Sequence, residues 1–325
     1  MDSGDSLSIK QINTERIRAF MEQAHSASKS QIARGLGLSF PTVTRLVDDL
    51  CAVGELLEQG AGSSTGGRCA CYYQLNPRHR LYLLIQVEAC QVCWNLKDLQ
   101  ENVVEHGSYG FTSISLERLD VLITDMAGRY RAINAIAIGI AALVNHGVVE
   151  EADAFSCLKG MDLIRHFREV TPLPVVIEND MDFLTLGCWS GRQPAADSLV
   201  TLFLNGPCMG GGMVVNRQLW TGSSGFCTEP TFLPGLESCW QGLASSPSDV
   251  DVPGLYARLI RIYAATVNPS MVILYANPLI EGKLDDIRRG CSAHLPAKAV
   301  PSIELSHSYQ EDYERGLFAL ARKLS

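Results

Sequence analysis

The chain has 325 residues, 46% of them hydrophobic and 19% charged, which excludes an extended disordered protein and leaves room for two or three domains. Its formal net charge of −8 provides no overall attraction to nucleic acid, so any contact with DNA requires a local basic surface. Met1 to Ser6 lacks the basic and apolar regions of a signal peptide, and the most apolar run, Ala132 to Val144, is shorter than the ~20 residues of a membrane span. We therefore predict a soluble, cytoplasmic protein with no membrane contact.

The first part of the chain predicts short amphipathic helices. One spans Asn13 to Ala24 with Thr14 as its cap, and a second begins at Ser28 or Ser30 and ends at Gly37. A third begins at Ser39. The residues predicted to form the buried faces of the three helices are Ile17, Phe20, Met21, Ile32, Ala33, Leu36, Val43, Leu46, Val47 and Leu50.

The third helix is followed by a predicted hairpin. Ser39 caps that helix, and Pro41 lies in its first turn, where a missing N–H does no harm. Gly54 to Glu58 and Cys69 to Leu75 have the pattern of strands, and a Gly/Ser-rich loop, Gln59 to Arg68, connects them. Two helices joined by a Gly-containing turn, then strand, loop and strand, predict a winged helix-turn-helix over residues 1–76. The alternative is a small helical domain followed by a flexible linker.

Beyond Leu81 the pattern changes to strands and then to alternating helices and strands. Ala135 to Ile140 is continuously apolar, which is typical of a strand in a sheet covered on both faces. This order predicts an α/β domain over residues 77–325. The predicted strands are Leu81–Glu88, Val92–Leu96, Asn102–Phe111, Ala135–Ile140, Val175–Glu178, Leu199–Leu204 and Met271–Tyr275, and the predicted helices are Leu116–Arg131, Met161–Val170, Leu255–Val267 and Glu311–Leu324.

The eleven cysteines are interpreted as reduced side chains that act as small buried hydrophobes. Many lie inside apolar runs, as do Cys90, Cys93, Cys188 and Cys291. Cys69 and Cys71 form one close pair, and Cys90 and Cys93 form another. No second pair or histidine cluster follows at zinc-finger spacing, so we predict no metal site, and a metal site is the less favoured alternative.

Four short stretches follow one another along the chain. They are Ser64–Arg68 leading to Leu75–Pro77, Leu173–Asp180, Gly210–Gly225 and Asn268–Leu274. In this order they resemble the wing tip, the Pro-Val-x-x-Glu-Asn-Asp strand end, the Gly-rich hairpin and the Asn-Pro strand entry of the ROK family of repressors, open reading frames and sugar kinases. The resemblance extends from about Asn13 to Ala321. It implies an actin-like (ribonuclease H-like) domain whose two lobes close on a sugar.

The resemblance also implies the division of that domain and its sugar site. Lobe one would comprise about residues 77–190 plus the C-terminal helix, and lobe two about residues 191–305. Asn179, Asp180 and Glu229 match family residues that bind sugar hydroxyls, and in the family's kinases the matching Asp is the general base. The alternative is that Asp180 only caps a helix from Met181 to Trp189.

The chain departs from three motifs that contact ATP in the family's kinases. The family's Asp-x-Gly-Gly-Thr phosphate loop is replaced by Gln86 to Cys90, where Glu88 repels a phosphate and the glycines are missing. The second phosphate loop reads Gly206-Pro-Cys208, and Pro207 has no N–H to donate. The Gly-Gly turn beside adenosine is Ala276-Asn277. We therefore predict that the chain binds no ATP and no other cofactor and is not an enzyme.

The family's zinc motif is also incomplete. Phe232 occupies the place of the family's histidine, and Cys239 is the one cysteine in the following stretch, Leu233 to Trp240. One thiolate cannot hold Zn²⁺ in a structural site with four ligands. The resemblance therefore implies a domain without the family's metal.

These observations predict a DNA-binding regulator, in particular a repressor of carbohydrate metabolism, whose kinase-like domain senses a sugar or forms the dimer. A ROK sugar kinase with an appended DNA-binding domain is the alternative, and a scaffold whose second domain only dimerises is a third hypothesis. We expect a homodimer or homotetramer on a palindromic double-stranded operator. The predicted DNA contacts are Lys29 and Ser39 to phosphates, Thr42, Thr44 and Arg45 to bases, and Arg68 in the minor groove.

Overall fold

The computed structural model describes residues 3–61, 71–151, 155–192 and 196–324. The chain divides into two compact units, one of Met1–Leu81 with Asp98–Asn102 and one of Tyr82–Lys97 with Val103–Ser325. In the described ranges no helix is both long enough and apolar enough to cross a membrane.

In its described residues, 3–61 and 71–81, the first unit contains three α-helices and a small antiparallel sheet. The strand β3 lies between β1 and β2. Its elements are α1 (Ser3–Ala24), β1 (Ala27–Ser28), α2 (Lys29–Leu36), α3 (Phe40–Ala52), β2 (Leu56–Ala61) and β3 (Cys71–Leu75).

Local capping explains the turn between α2 and α3. Ser28 begins α2 in a capping box with Gln31, and Gly37 ends it with φ of 64°, a left-handed conformation that glycine adopts without strain. Ser39 then caps α3, and its side chain accepts a hydrogen bond from the Thr42 N–H. The predicted cap of α1 is wrong, because Thr14 lies inside the longer helix and its hydroxyl donates to the Lys10 carbonyl.

The core of the first unit is apolar and matches the predicted helical stripes. Its fully buried members from the helices are Ile17, Met21, Ile32, Val43, Leu46, Val47 and Leu50, whereas Phe20, Ala33 and Leu36 are partly buried against it. The hairpin adds Leu56 and Tyr73 to the core. The packing of the three helices against one another therefore determines which side of α3 is exposed.

The second unit contains two five-stranded sheets. The first has the strand order β10-β7-β4-β5-β6 and the second β13-β12-β11-β14-β15, while β8 and β9 form a separate hairpin. Their bounds are β4 (Leu81–Val87), β5 (Gln91–Asp98), β6 (Val103–Gly110), β7 (Ile133–Ile140), β8 (Leu143–Asn145), β9 (Val148–Glu151), β10 (Val175–Asn179), β11 (Leu199–Asn205), β12 (Cys208–Val215), β13 (Gln218–Leu219), β14 (Met271–Tyr275) and β15 (Ser302–Ser306).

Seven helices accompany these sheets in the described part of the second unit. They are α4 (Leu116–Arg129), α5 (Leu163–Val170), α6 (Asp180–Ser190), α7 (Glu237–Ser245), α8 (Val252–Thr266), α9 (Leu284–Ser292) and α10 (Tyr309–Lys323). The elements β1, β8, β9, β13, β15, α7 and α9 were not predicted from the sequence.

The helices α6 and α10 cross at very short range. A Cβ atom at Gly187 would lie 1.7 Å from the Asp312 carbonyl oxygen, and one at Gly316 would lie 1.8 Å from the Phe183 carbonyl oxygen. Only glycine fits at either position, because a side chain would have to displace backbone. The close crossing places Asp312, in the first turn of α10, beside Gly187 of α6, and Phe183, in the first turn of α6, beside Gly316 of α10.

The prediction that the cysteines are buried is correct for some residues and wrong for Cys90, Cys157 and Cys208, which are exposed. Cys188 and Cys291 are buried, and Cys93 is partly buried, whereas Cys90 is exposed. Cys90 lies in the turn between β4 and β5 and not inside a strand, so its apolar neighbours in sequence do not cover it. Cys69 lies outside the described residues.

Candidate functional site

The predicted sugar residues lie where β10 passes into α6. Asn179 ends the strand and caps the helix, and its Oδ1 accepts a hydrogen bond of 2.7 Å from the Met181 N–H. Its Nδ2 donates to the Ala142 carbonyl at 2.8 Å. Asn179 therefore holds the β10–α6 junction to the end of β7, and both polar atoms of its side chain have protein partners.

Asp180 is the first residue of α6 and not its cap. Its Oδ1 accepts a bond of 2.9 Å from the Met181 N–H. Burial, with the negative charge of Glu88, raises the pKa of Asp180 to about 7, although hydrogen bonds from the backbone act in the opposite direction. A carboxyl group with such a pKa exchanges its proton near neutral pH and can serve as acceptor or donor to a hydroxyl.

Three more carboxyl groups share this region. Burial raises the pKa of Glu178 to about 7, and burial with the charge of Asp180 raises that of Glu229 to about 7. The pKa of Asp182 rises to about 8 through burial and the charges of Glu178, Asp180 and Glu229. We call Glu178, Asp180, Asp182 and Glu229 the α6 carboxylate cluster. The structure thus brings Glu229 near Asp180, as the sequence predicted, and adds Glu178 and Asp182, which were not predicted.

Glu88 occupies the tight turn between β4 and β5. Its N–H donates to the Gln91 carbonyl at 2.9 Å, so this backbone donor is used by the turn itself. Its carboxylate accepts hydrogen bonds from the side-chain amides of Gln86 at 2.9 Å and Gln91 at 3.0 Å. This turn presents a fixed carboxylate where the sequence comparison expected a phosphate loop.

Aromatic side chains form one wall beside the cluster. The rings of Tyr309 and Tyr313 stack with their centroids 6.0 Å apart, and Phe203 packs on Tyr309 at 4.5 Å. Tyr313 is 0% exposed, and within the described ranges its hydroxyl has no hydrogen-bond partner. A buried polar group without a partner is costly, which makes this hydroxyl a candidate ligand contact.

The other two departures from the kinase pattern, at Pro207 and at Ala276-Asn277, also lie in turns. Gly206 and Pro207 form the two-residue connection between the paired residues Asn205 and Cys208. Asn277 uses its Oδ1 to accept from the Leu279 N–H at 3.0 Å and its Nδ2 to donate to the Tyr256 hydroxyl at 3.2 Å. Neither turn offers the glycine-lined approach that a nucleotide needs.

Phe232 points to solvent and does not replace a ligand. It is 67% exposed, and its ring contacts that of the exposed Phe226 at 5.1 Å between centroids. Cys239 instead packs against the core of the second sheet. In the part of the chain that the structure describes, no three histidine, cysteine or acidic residues are grouped so that they could hold a metal ion.

The residues at and near the start of α3 that are predicted to contact DNA differ in their solvent exposure. Ser39 and Arg45 are exposed and Thr42 is partly exposed, and the Ser39 and Thr42 hydroxyls lie 2.8 Å apart. Thr44 has a buried hydroxyl that finds no partner in the described ranges. Thr44 can therefore offer a groove only its methyl group unless its side chain rotates.

Some positively charged side chains of the first unit already have partners within the protein. Lys29 pairs with Asp48 and lies 5.3 Å above the Tyr73 ring, so a phosphate contact would have to compete with that pair. Arg45 is exposed and, among the described residues, has no hydrogen bond or ion pair. Arg34 on α2 has the same properties and was not predicted, because one exposed Arg carries no signal in the sequence. Arg68 lies outside the described residues.

Residues 95–231 match the model of the ROK family. The xylose repressor of Bacillus subtilis (strain 168) is 24% identical over 264 residues, which are 75% of this chain and 68% of the repressor. A putative xylose repressor of Caldicellulosiruptor sp. (strain Rt8B.4) is 27% identical over 248 residues, 70% of this chain and 59% of that protein. The alignments thus leave about a third of the first relative and about two-fifths of the second unmatched.

Solved structures show that the fold is that of ROK proteins. A ROK family transcriptional regulator, a homologue of the E. coli MLC protein, superposes with a TM-score of 0.69 at 18% identity and covers 97% of this chain and 96% of its own. Several sugar kinases match 74–75% of this chain at 14–16% identity. The mixed α/β, actin-like fold predicted for the ROK domain is confirmed.

Proposed function

We propose that the protein is a DNA-binding transcriptional repressor of carbohydrate metabolism whose ROK family domain binds a sugar effector and transfers no phosphate. The observation that carries the proposal is the start of α3, where a tight turn at Gly37 is followed by exposed polar side chains on a helix whose other face is buried. With the hairpin of β2 and β3, this order of elements is that of a winged helix-turn-helix over residues 1–76. Recognition helices contact base edges with residues of their first turns.

The relatives support the regulatory part of the proposal. Both sequence relatives are named xylose repressors, and the regulator of known structure matches nearly the whole of this chain. The sugar kinases match only about three-quarters of it. A carbohydrate-responsive repressor therefore agrees with the full length of the chain better than a kinase does.

The DNA contacts can be tested with one matched pair of variants. We propose that Thr42 and Arg45 read bases, with Thr44 contributing its methyl group. Ser39 and Lys29 would hold phosphates, and Arg68 would enter the minor groove. On an operator selected from random sequences, Arg45→Ala should weaken binding by about 1–3 kcal/mol and relax the sequence preference. Arg131→Ala, an exposed arginine of the second unit, removes the same charge and should leave binding unchanged. Equal losses for both variants would contradict the proposal.

We further propose that the active form is a symmetric dimer or tetramer. Residues 1–75 contain seven Lys and Arg but eight Asp and Glu, so one DNA-binding unit has a net charge of about −1 and gains little from phosphate attraction. Two linked units raise each other's effective concentration on a palindromic operator. Light scattering at micromolar concentration should give at least twice the mass of 35.5 kDa, and a monomer with and without DNA would contradict it.

A sugar kinase is the second candidate, and one observation favours it. Asp180 lies at the start of α6 with a pKa of about 7, a value suited to a general base. Phosphoryl transfer depends mainly on positioning and neutralising the phosphates, and Glu88, Pro207 and Asn277 oppose both. ADP release in the presence of ATP, Mg²⁺ and a sugar panel should stay at background. Turnover that disappears in Asp180→Asn would make the kinase the leading function.

A further inference from the structure

The residues that stand in place of the family's first phosphate loop are hydrogen-bonded to α10. Gln86 Nε2 donates to Glu88 at 2.9 Å, and Gln86 Oε1 accepts from Gln310 Nε2 at 3.3 Å. Gln310 Nε2 also donates to Glu314 at 3.0 Å, and Glu314 pairs with Lys97 at 2.6 Å. We call these five residues the β4–α10 network. Its side chains connect the turn after β4 to the end of β5.

The β4–α10 network is held tightly at both of its carboxylates. One oxygen of Glu88 accepts from the network and the other accepts from Gln91 Nε2 at 3.0 Å. Glu314 accepts a further bond from Asn95 Nδ2 at 3.1 Å. Gln86 is 5% exposed and Lys97 is 8% exposed. Buried side chains that share hydrogen bonds in this way move together, because one rotation leaves the next group without its partner.

One end of the network lies where the proposed sugar residues lie. The Val87 carbonyl, at the end of β4 beside Glu88, accepts a hydrogen bond of 3.4 Å from the Ala141 N–H. The carbonyl of the next residue, Ala142, accepts from Asn179 Nδ2 at 2.8 Å. The turn that carries Glu88 is therefore at the same end of the first sheet as the β10–α6 junction.

The other end of the network continues into the first unit. The turn Asp98–Asn102, which follows β5 directly, belongs to that unit. The Leu99 N–H donates to the Pro77 carbonyl at 3.0 Å, and the adjacent Asn76 N–H donates to the Glu55 carbonyl at 2.8 Å. Glu55 lies in the turn after α3. Hydrogen bonds thus follow one another from the end of β5 to the end of the predicted recognition helix.

We propose that the β4–α10 network couples ligand binding at this end of the first sheet to the first unit. A ligand hydroxyl that donates to Glu88 competes with the Gln86 amide. When that amide turns away, Gln310 loses its acceptor and the contacts of Glu314 and Lys97 change. The inference rests on the proposed function for its ligand and specifies how binding is transmitted.

Hydrogen exchange of the full chain, measured by mass spectrometry, tests the coupling without a ligand. Gln310→Leu breaks the network in its middle at an exposed residue. The peptide that spans Asp98–Asn102 should exchange ~5- to 10-fold faster, because the end of β5 loses a fixed partner. Gln241→Leu makes the same change at an exposed glutamine of α7 and should leave the rate unchanged. Equal rates in Gln310→Leu and the unchanged protein would overturn the inference.

A variant at the far end of the network separates coupling from local support. Glu88→Ala removes the carboxylate that the ligand would occupy, and it should speed exchange of Asp98–Asn102 about 2- to 5-fold. β14, in the second sheet, should exchange as in the unchanged protein. No change in the Asp98–Asn102 peptide, or an equal rise in β14 from a general loss of stability, would overturn the inference.

Operator binding distinguishes failure of the inference from failure of the proposed function. On the selected operator, Gln310→Leu should change affinity at least ~3-fold relative to Gln241→Leu. If both variants bind the operator equally, the repressor proposal stands and the coupling is wrong. If the exchange results are as expected but the unchanged protein binds no operator, the coupling stands and the repressor proposal fails.

Discussion

Glu55 and the α6 carboxylate cluster have opposite surroundings. Glu55 in the first unit is 4% exposed, and its two oxygens accept hydrogen bonds from Arg18 at 2.5 and 2.8 Å. Burial alone would raise the pKa of Glu55, but the hydrogen bonds and charge of Arg18, with smaller contributions from Arg80 and His79, lower it. The α6 carboxylate cluster has burial without such partners, and its pKa values rise.

The difference distinguishes a carboxylate whose charge is compensated inside the protein from carboxylates that have no ion-pair partner among the described residues. Glu55 completes its interactions within the protein and joins α1 to the turn after α3. The cluster costs stability when it is ionised, and such sites persist where a ligand benefits from them. Three substitutions test this contrast, and a fourth tests a buried hydroxyl on α3.

The largest effect is expected at Glu55. Glu55→Gln leaves Arg18 without its charged partner, so the free energy of unfolding should fall by about 2–4 kcal/mol. Because the folded state lowers this pKa from 4.5, the stabilisation is complete above about pH 4.5 and is lost as the pH falls through the folded value. Denaturant unfolding followed by circular dichroism measures it. The exposed Glu58→Gln is the control, and an equal loss in both variants would show that the Arg18 pair is not the cause.

Asp182→Asn should raise the free energy of unfolding at pH 8, whereas Glu55→Gln lowers it. The folded state raises the pKa of this group from 3.8 to about 8, so it binds a proton that the unfolded chain releases, and the stability of the unchanged protein falls as the pH rises between these values. The variant should be more stable at pH 8 by ~1–2 kcal/mol, and its advantage should shrink at pH 5. Asp197→Asn, at an exposed carboxylate, should show no such trend. A variant that is destabilised at pH 8 would mean that Asp182 has an internal partner.

Glu178→Gln tests whether burial or repulsion between carboxylates is the main cause of the raised pKa of Asp182. Burial is the larger cause for Asp182 and the charge of Glu178 the smaller, so this change should lower the pKa of Asp182 by less than about one unit. Carbon-detected NMR titration of labelled aspartate measures it. A pKa that returns to the ordinary range would show that repulsion between carboxylates, and not burial, dominates the site.

The smallest effect is expected at Thr44. Its buried hydroxyl has no partner in the described ranges, so Thr44→Val, which keeps the shape, should change the free energy of unfolding by no more than about 1 kcal/mol. Operator affinity should also stay constant if only the methyl group meets DNA. Thr42→Val is the comparison, because the Thr42 hydroxyl is bonded to Ser39 at the start of α3, and its affinity should fall. Loss of affinity in Thr44→Val would mean that this hydroxyl rotates outward on DNA.

The order of most elements could be predicted because each helix or strand is specified by a pattern of residues that are adjacent in the sequence. The stripe of Val43, Leu46, Val47 and Leu50, the cap at Ser39 and the left-handed Gly37 are all local, and the structure contains each of them. Apolar runs likewise identified β7, β10 and β14. β8 and β13 were not predicted, because two or three residues leave too little periodicity to recognise. β15 was not predicted because its five residues, Ser302–Ser306, alternate polar and apolar side chains and form no apolar run.

The electrostatics of the sites depend on neighbours that are distant in the chain. Asn179, Asp180 and Glu229 could be named from their motif, but Glu178 and Asp182 gain their raised pKa values only because folding buries them beside these groups. Tyr313 reaches Gly139 across 174 positions because α10 crosses α6 at two glycines. The sequence by itself indicated most of the longer elements and the resemblance to the ROK family, since each depends on adjacent residues. Only the tertiary structure decided which carboxylates have an ion-pair partner among the described residues and which have none, because burial and charge act through space.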